Sequence, residues 1–451
     1  MLERKLKIYK ALFSVTAALL AVVIVVQVLF STGVFRLAKE DDSVQTVQTG
    51  TLSREGYTLK QVVILSRHNI RSPLSGKDST LGTMTPHEWF AWSSNPSELS
   101  TRGGVLETEM GQYFRKWVED EGLFPENYQP TEEEVRIYAN SKQRTIATAR
   151  YFSAGLLPSG ETDVEYHMDF DQMDPVFFPQ LTIMNDEYRA DAEAQINELF
   201  DEQIYDLADN YKLISEVIDL EDSEGYKNGT AEAFRTDDTQ IVLEEGQEPG
   251  VKGSLKTACS ISDALVLQYY EEPDPLAAAF GEELSYEQWK EISEVKDLYG
   301  EVLFTAPLIA YNVAHPLLME IESELSEEDR IFTFLCGHDS NLGSVLAALD
   351  VEDYSLEQSI EEKTPIGAKL VFAKWEDAQG KEYISLDLVY QTSYQLQELD
   401  LLDLTDQPMV FHVPLKGLSS NSDGLYTLDE FMAHLHNAVD EYDVIREYYG
   451  D

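Results

Sequence analysis

The sequence predicts an α/β fold: a mixed, mostly parallel sheet flanked by helices, with an inserted α-helical domain and an N-terminal transmembrane helix. Three observations carry this. Two short apolar runs, Lys60-Gln61-Val62-Val63-Ile64-Leu65-Ser66 and Ile331 to Cys336, have the length and the β-branched or aromatic content of buried strands. Helical patterns follow or separate them, and strand, loop and helix in repetition is the sequence form of a sheet covered by helices. Ahead of both, Ala11 to Phe35 holds no charged residue over 25 positions.

Taken in order, the first element is a basic tail, residues 1–10, with Arg4, Lys5, Lys7 and Lys10. Residues 11–35 are long enough to cross a hydrocarbon layer of about 30 Å as a helix. A cleaved signal peptide has an apolar region of only about 7 to 15 residues and ends in a small-x-small site. Val28-Leu29-Phe30 offers no such site, so an uncleaved anchor is expected. The positive-inside rule makes the tail cytoplasmic and the rest extracellular or periplasmic, a single-pass protein of the cell membrane. Residues 36–54, polar and rich in Asp, Ser, Thr and Gln, read as a stalk.

Residues 55–167 and 301–451 read as one α/β domain. Its helices are expected at Gly104 to Val118, Gln143 to Leu156 and Asn341 to Leu349, where apolar residues recur at helical spacing. Gly367 to Trp375 and Glu382 to Gln391 read as a β-hairpin at a sheet edge. Residues 168–300 are mostly helical in period and dense in acids, as in Asp191 to Asp209 and Glu283 to Lys296, and read as the inserted domain.

The 451 residues hold 83 Asp and Glu against 33 Lys and Arg, a formal charge of -50. That excludes nucleic acid as a main partner, because a phosphate backbone needs a clustered excess of bases. Cys259 and Cys336 are the only cysteines, which excludes a disulfide framework and a multi-cysteine zinc site and leaves one bridge open. No GxxxxGK, GxGxxG or GxSxG motif occurs, and the sequence calls for neither a cofactor nor a metal. The Glu132-Glu133-Glu134 and Glu361-Glu362 runs read as solvated faces.

Chemistry concentrates in two loops, each just past the carboxyl end of an apolar strand, where open α/β sheets bind ligands. The first is Arg67-His68-Asn69-Ile70-Arg71-Ser72-Pro73, the second Gly337-His338-Asp339-Ser340-Asn341. Guanidinium forks match phosphate oxygens, and an imidazole between them can attack phosphorus. Gly56 to Lys77 carries four bases and no acid, and so does Val135 to Gly160, which includes Arg144. The bland alternatives are surface ion pairs for Arg67 and Arg71, a solvated helical Arg144, structural histidines, and Asp339 as the cap of a helix beginning near Asn341.

At these residues the sequence resembles the histidine acid phosphatases (histidine phosphatase superfamily, branch 2), and more closely their bacterial glucose-1-phosphatase branch. The paired signatures match Arg67 to Pro73 and His338-Asp339, with Asn69 where most of the family has Gly. The similarity continues through Tyr138 to Thr145, Met173-Asp174-Pro175, Gln247 to Val251, Asp263 to Glu271 and Thr364 to Gly367. It implies a nucleophile at His68 that becomes phosphohistidine, phosphate binding by Arg67, Arg71, Arg144 and His338, a leaving-group acid at Asp339, and a substrate contact at Glu248. The implied substrate is a small phosphomonoester such as glucose 1-phosphate. The family also includes phytases, and Ser75, where those relatives usually carry Lys, leans toward the sugar phosphate. From another class, an inactive surface binding protein would have no use for a leaving-group acid. Relatives carry C-terminal disulfides, whereas Gly417 to Gly424 contains no cysteine.

Overall fold

The computed structural model describes residues 50–75, 79–131, 133–158 and 163–450. The expected tail, the anchor at 11–35 and residues 36–49 of the stalk lie outside the described residues. Among the described residues no single helix is long and apolar enough to cross a membrane.

The strands are β1 (Tyr57–Arg67), β2 (Val135–Ala139), β3 (Gln240–Val242), β4 (Gly250–Lys252), β5 (Phe332–Gly337), β6 (Lys369–Asp377), β7 (Glu382–Tyr390), β8 (Met409–His412) and β9 (Tyr426–Thr427). The longer helices are α1 (Thr101–Asp120), α2 (Gln143–Leu156), α3 (Asp186–Asp206), α4 (Ala208–Val217), α5 (Ser254–Glu271), α6 (Tyr286–Phe304), α7 (Pro307–Ser326), α8 (Asp339–Ala348) and α9 (Leu428–Tyr449). The main sheet runs β2-β5-β1-β6-β7-β8, with β9 also on β7, and β3-β4 form a separate ribbon.

Side chains alternate across a strand. Val63 and Leu65 of β1 therefore join a core under α7, α8 and α9, with Leu318, Val345 and Phe431. Val62 and Ile64 face the other way, toward Phe114 and Trp117 of α1 and Phe152 of α2. Burial on both faces is why the two strands read as unbroken apolar runs. Helices α1 and α2 touch backbone to backbone. A Cβ on Gly111 would lie 2.2 Å from Phe152 O, and one on Gly155 would lie 2.2 Å from Thr108 O.

The mixed sheet is as expected, and its parallel character belongs to β2, β5 and β1, which carry the two loops. From β6 onward the pairing is antiparallel; for β6 and β7 the short turn between them allows nothing else, since a parallel neighbour needs a longer crossover. The β6–β7 hairpin is not at a sheet edge: β6 pairs with β1, and β7 with β8 and β9. Its first strand holds five successive buried residues, the signature of a strand covered on both sides. A turn signal reports only the hairpin, not what lies beyond it.

Between residues 168 and 300 the chain is mostly helical. Tyr188, Ile196, Leu255 and Trp289 pack in a third apolar cluster. Cys259, in α5, and Cys336, in β5, are both free thiols. Arg54, just before β1, donates to both carboxylate oxygens of Asp387 in β7 at 3.1 Å, so the start of β1 is tied down without a disulfide.

Candidate active site

Register brings the two loops together. Arg67 of β1 lies beside Gly337 of β5, and Ala139 of β2 lies beside Cys336. The next residues, His68, His338 and Asn140, therefore leave the sheet side by side. The two imidazoles sit edge to face, with centroids 5.4 Å apart. His68 N donates to Gly337 O at 3.1 Å and Asn140 N to Cys336 O at 2.9 Å. Gly367, at φ +68°, closes in from the other side; a Cβ there would lie 2.7 Å from Asn69 Nδ2, and its N–H donates to His68 O.

His68 is 3 % exposed. Its Nδ1 lies 2.9 Å from Asn69 O, and a carbonyl can only accept, so Nδ1 carries the proton and Nε2 keeps its lone pair. Burial, then the charges of Arg144, His338, Arg71 and Arg67, hold its pKa well below the usual 6.5. The imidazole is neutral and nucleophilic.

The three arginines are fixed differently. Arg67 donates to Glu361 Oε1 and to Thr364 O, both at 2.6 Å, and its Nη2 lies 3.3 Å from Asp339 Oδ2. Arg71 is held by both oxygens of Asp263, on α5, at 3.1 and 3.2 Å. Arg144, near the start of α2, forms no ion pair among the described residues, and burial and Arg71 lower its pKa to about 10. In all three, the Nε–H is buried without an acceptor. Buried donors are almost always paired; Arg71 and Arg144 bring theirs to a cleft that His68 and His338 also line, where an anion would accept from them.

Asp339 is the first residue of α8, not the cap of a helix starting at Asn341. Asn341 Oδ1 instead caps the turn by accepting from His338 N at 2.9 Å. Desolvation in the cleft raises the Asp339 pKa, but the charges of Arg67, Lys296 and Arg71 outweigh it and hold the carboxyl well below its ordinary range. Glu248 lies in the β3–β4 turn, and its carboxyl is pushed up by desolvation and by Asp339, against Arg144 and Lys142. His68, Arg71, Arg144, Glu248, His338 and Asp339 all line one cleft of about 970 Å³. Arg67 stands behind the lining and reaches it through Asp339.

The structure also brings in residues that sequence reasoning missed. Glu361 does not lie on a solvated face: it is 0 % exposed, 2.6 Å from Arg67 and 2.7 Å from Lys296, whose charges offset burial and lower its pKa to about 2. Its neighbour Glu362 pairs with Lys290. Behind Asn69, Nδ2 donates to Glu107 at 2.9 Å, and Glu107 pairs with the fully buried Lys369. The surface ion-pair alternative for Arg67 and Arg71 fails on burial, since their side chains are 1 % and 6 % exposed. A signal was present for Asp263, which opens one of the matched stretches; for Glu361 only its closeness to Thr364-Pro365-Ile366-Gly367 hinted at a role.

A neutral histidine at a strand end, ringed by arginines with open N–H groups beside a carboxylate, defines an α/β protein made to hold a phosphate group against an imidazole. The chain belongs to the histidine phosphatase superfamily (branch 2), whose family model matches residues 58–390, and it is a phosphatase. It is 38% identical over 382 residues to a glucose-1-phosphatase of Salmonella typhimurium, covering 84% of this chain and 92% of the relative. A glucose-1-phosphatase of Providencia rettgeri is 35% identical over 397 residues, 87% of this chain and 94% of that one. Among solved structures, the apo form of Hafnia alvei phytase superposes with a TM-score of 0.77 at 27% identity, over 86% of this chain and 99% of that one.

Proposed function

We propose that the chain hydrolyses small phosphomonoesters, sugar phosphates such as glucose 1-phosphate, through a phosphohistidine at His68. The observation that carries this is the convergence of Arg71, Arg144, His338 and Asp339 on one cleft with a histidine whose Nδ1–H donates to Asn69 O. The dianion is held by Arg67, Arg71, Arg144 and His338. His68 Nε2 attacks phosphorus in line, the P–O bond to the sugar breaks, and Asp339 gives its proton to the leaving oxygen, since an alkoxide leaves poorly. Water then attacks the phosphohistidine, Asp339 takes the water's proton back, and phosphate departs.

Substrate size and charge follow from the rest of the cleft. Lys363 and Lys416 line it, but Asp353 and Asp350 already hold them at 2.9 and 3.1 Å. Asp297, Glu301 and Glu352 line it as well. A substrate with further phosphates therefore meets more acids than free bases, and Glu248 is suited to accept from sugar hydroxyls. The names of the two glucose-1-phosphatase relatives support the same choice.

Steady-state hydrolysis of glucose 1-phosphate, phytate and an aryl phosphate side by side at low salt tests this. Higher kcat/KM on glucose 1-phosphate than on phytate is expected. A preference for phytate would replace the proposal with a phytase, and no turnover of any of the three would leave a binding protein.

The catalytic part, 55–167 with 301–451 and the inserted 168–300, is proposed to sit outside the cytoplasm on the anchor at 11–35. The long uncharged segment behind four bases supports this. Protease added to intact cells should release the catalytic part and leave the N-terminal peptide protected; a soluble protein starting near residue 31 would show cleavage instead.

A further inference from the structure

Asn140 leaves β2 with both of its backbone groups engaged: its N–H donates to Cys336 O at 2.9 Å, and its C=O accepts from Thr145 Oγ1 at 2.6 Å. Its side chain is equally determined. Oδ1 accepts from Asp174 N at 2.9 Å, so the carboxamide cannot turn over without orphaning that N–H. Nδ2 is thereby aimed at His338 Nε2, 2.7 Å away. An amide nitrogen only donates, and a neutral imidazole has one N–H and one lone pair. Both ring nitrogens of His338 face a donor, Asn140 Nδ2 at 2.7 Å and Arg144 Nη2 at 3.4 Å, and the much shorter contact draws the lone pair to Nε2.

We propose that Asn140 is a positioning residue that sets the tautomer of His338, keeping its proton on Nδ1 so that this edge of the ring donates to the bound phosphate. The proposal rests on the phosphatase reading of the cleft. His338 Nδ1 lies 3.4 Å from Arg144 Nη2. The guanidinium N–H is aimed at Nδ1, so with the proton on Nδ1 two donors meet there, and a phosphate oxygen accepting from each would relieve the repulsion. The opposite tautomer would put a lone pair against that oxygen and repel it. Charged and titratable groups acting on His338 are Arg144, Arg71 and Lys142, which disfavour a second proton, Asp339, which favours it, and the neutral His68 ring. Burial adds to the arginines, and His338 stays neutral.

Asn140→Asp separates this role from a structural one. One carboxylate oxygen keeps the bond from Asp174 N, while the other now faces Nε2 and demands a proton there. His338 then donates from both nitrogens only as an imidazolium; once it deprotonates, the remaining proton stays on Nε2 and the phosphate edge turns repulsive. The ratio of variant to wild-type kcat/KM on an aryl phosphate should therefore fall about tenfold as pH rises from 5 to 8, the loss of one hydrogen bond to a charged group. Nitrogen-15 spectra of the wild-type imidazoles, assigned against His338→Gln, should show Nδ1 protonated and Nε2 bare. A proton on Nε2 in the wild type, or a ratio that does not change with pH, would overturn the proposal. If Asn140→Asp does not fold, the wild-type spectrum decides by itself. If the wild type turns over no phosphate ester while the spectrum shows the stated tautomer, the phosphatase reading fails and the role of Asn140 in setting the ring stands.

Discussion

The turn that opens α8 and the turn between β3 and β4 each place a carboxylate in the cleft that holds His68, and their surroundings drive the two acids apart. Asp339 lies against Arg67 and is held ionised. Glu248 has no such partner and is pushed toward its protonated form. The acid proposed to give up a proton is thus the one without it in the free protein. The physical resolution lies in the substrate. A phosphate dianion settling among Arg67, Arg71 and Arg144 cancels the charges that keep Asp339 low, so its pKa rises when a proton is needed. Glu248, on which burial and Asp339 outweigh Arg144 and Lys142, is the acid proposed to read the sugar.

The largest effect that could break this comparison is the loss of Asp339. Asp339→Asn should lower kcat on glucose 1-phosphate by roughly 10² to 10⁴, the usual worth of a positioned acid, and on an aryl phosphate by much less. Equal losses on both esters would remove Asp339 from the acid role.

Next is the buried support. Glu361→Gln leaves the buried Lys296 with only its longer 3.6 Å contact to Asp297 and Arg67 with Asp339 as its remaining ion-pair partner among the described residues. Breaking one side of a buried pair destabilises by about 3–5 kcal/mol, to be read as a lower denaturation midpoint in urea. The sign with pH is defined: the folded pKa of Glu361 is lowered to about 2, so its contribution is complete above the unfolded carboxyl range and fades as pH falls toward 2. The gap between wild type and variant should close in acid; a gap independent of pH down to 3 would assign the effect to packing.

Glu248→Gln should cost a few-fold in kcat/KM on glucose 1-phosphate, about one neutral hydrogen bond, and narrow the difference from phytate by removing a negative charge. An unchanged substrate ratio would take Glu248 out of the sugar contact.

Proton uptake sharpens the comparison directly. Calorimetric titration with sulfate near pH 5.5, in two buffers of different ionisation enthalpy, should show a fraction of a proton taken up per site. The uptake should vanish in Asp339→Asn and persist in Glu248→Gln. Uptake that follows Glu248 instead would exchange the two roles.

The smallest expected effect concerns Asp297, a third acid of the cleft. Burial raises its pKa to about 6, Lys296 opposing. A carboxyl with a raised folded pKa costs stability as pH climbs from the unfolded value through 6. Asp297→Asn, which keeps an acceptor for the Glu362 N–H now bonded at 2.7 Å, should therefore raise Tm by roughly 2–4 °C at pH 7 and leave it unchanged near pH 4. A shift of equal size at both values would contradict the raised pKa.

The part of the molecule legible from its residues alone is local. Val62 to Leu65 and Phe332 to Cys336 declare strands because both faces of each are buried, and His68, Arg71, His338 and Asp339 were legible because they follow those strands directly. Arg144 stood out in an acid-free stretch of a chain whose other parts are heavily acidic. Tertiary structure decided everything that depends on which strand lies beside which. The pairing of Arg67 with Gly337 puts His68 beside His338, and that of Ala139 with Cys336 puts Asn140 one residue behind them, its side chain in reach of His338. The β6–β7 hairpin is interior because β1 and β8 flank it. Glu361 and Asp297 look like any other acids in so anionic a chain, and only the fold removes them from water and sets Lys296 and Arg67 beside Glu361. Sequence patterns record what each residue's immediate neighbours require, while these ion pairs and the tautomer of His338 are set across separations of 65 to 294 residues, where no pattern in the chain reaches.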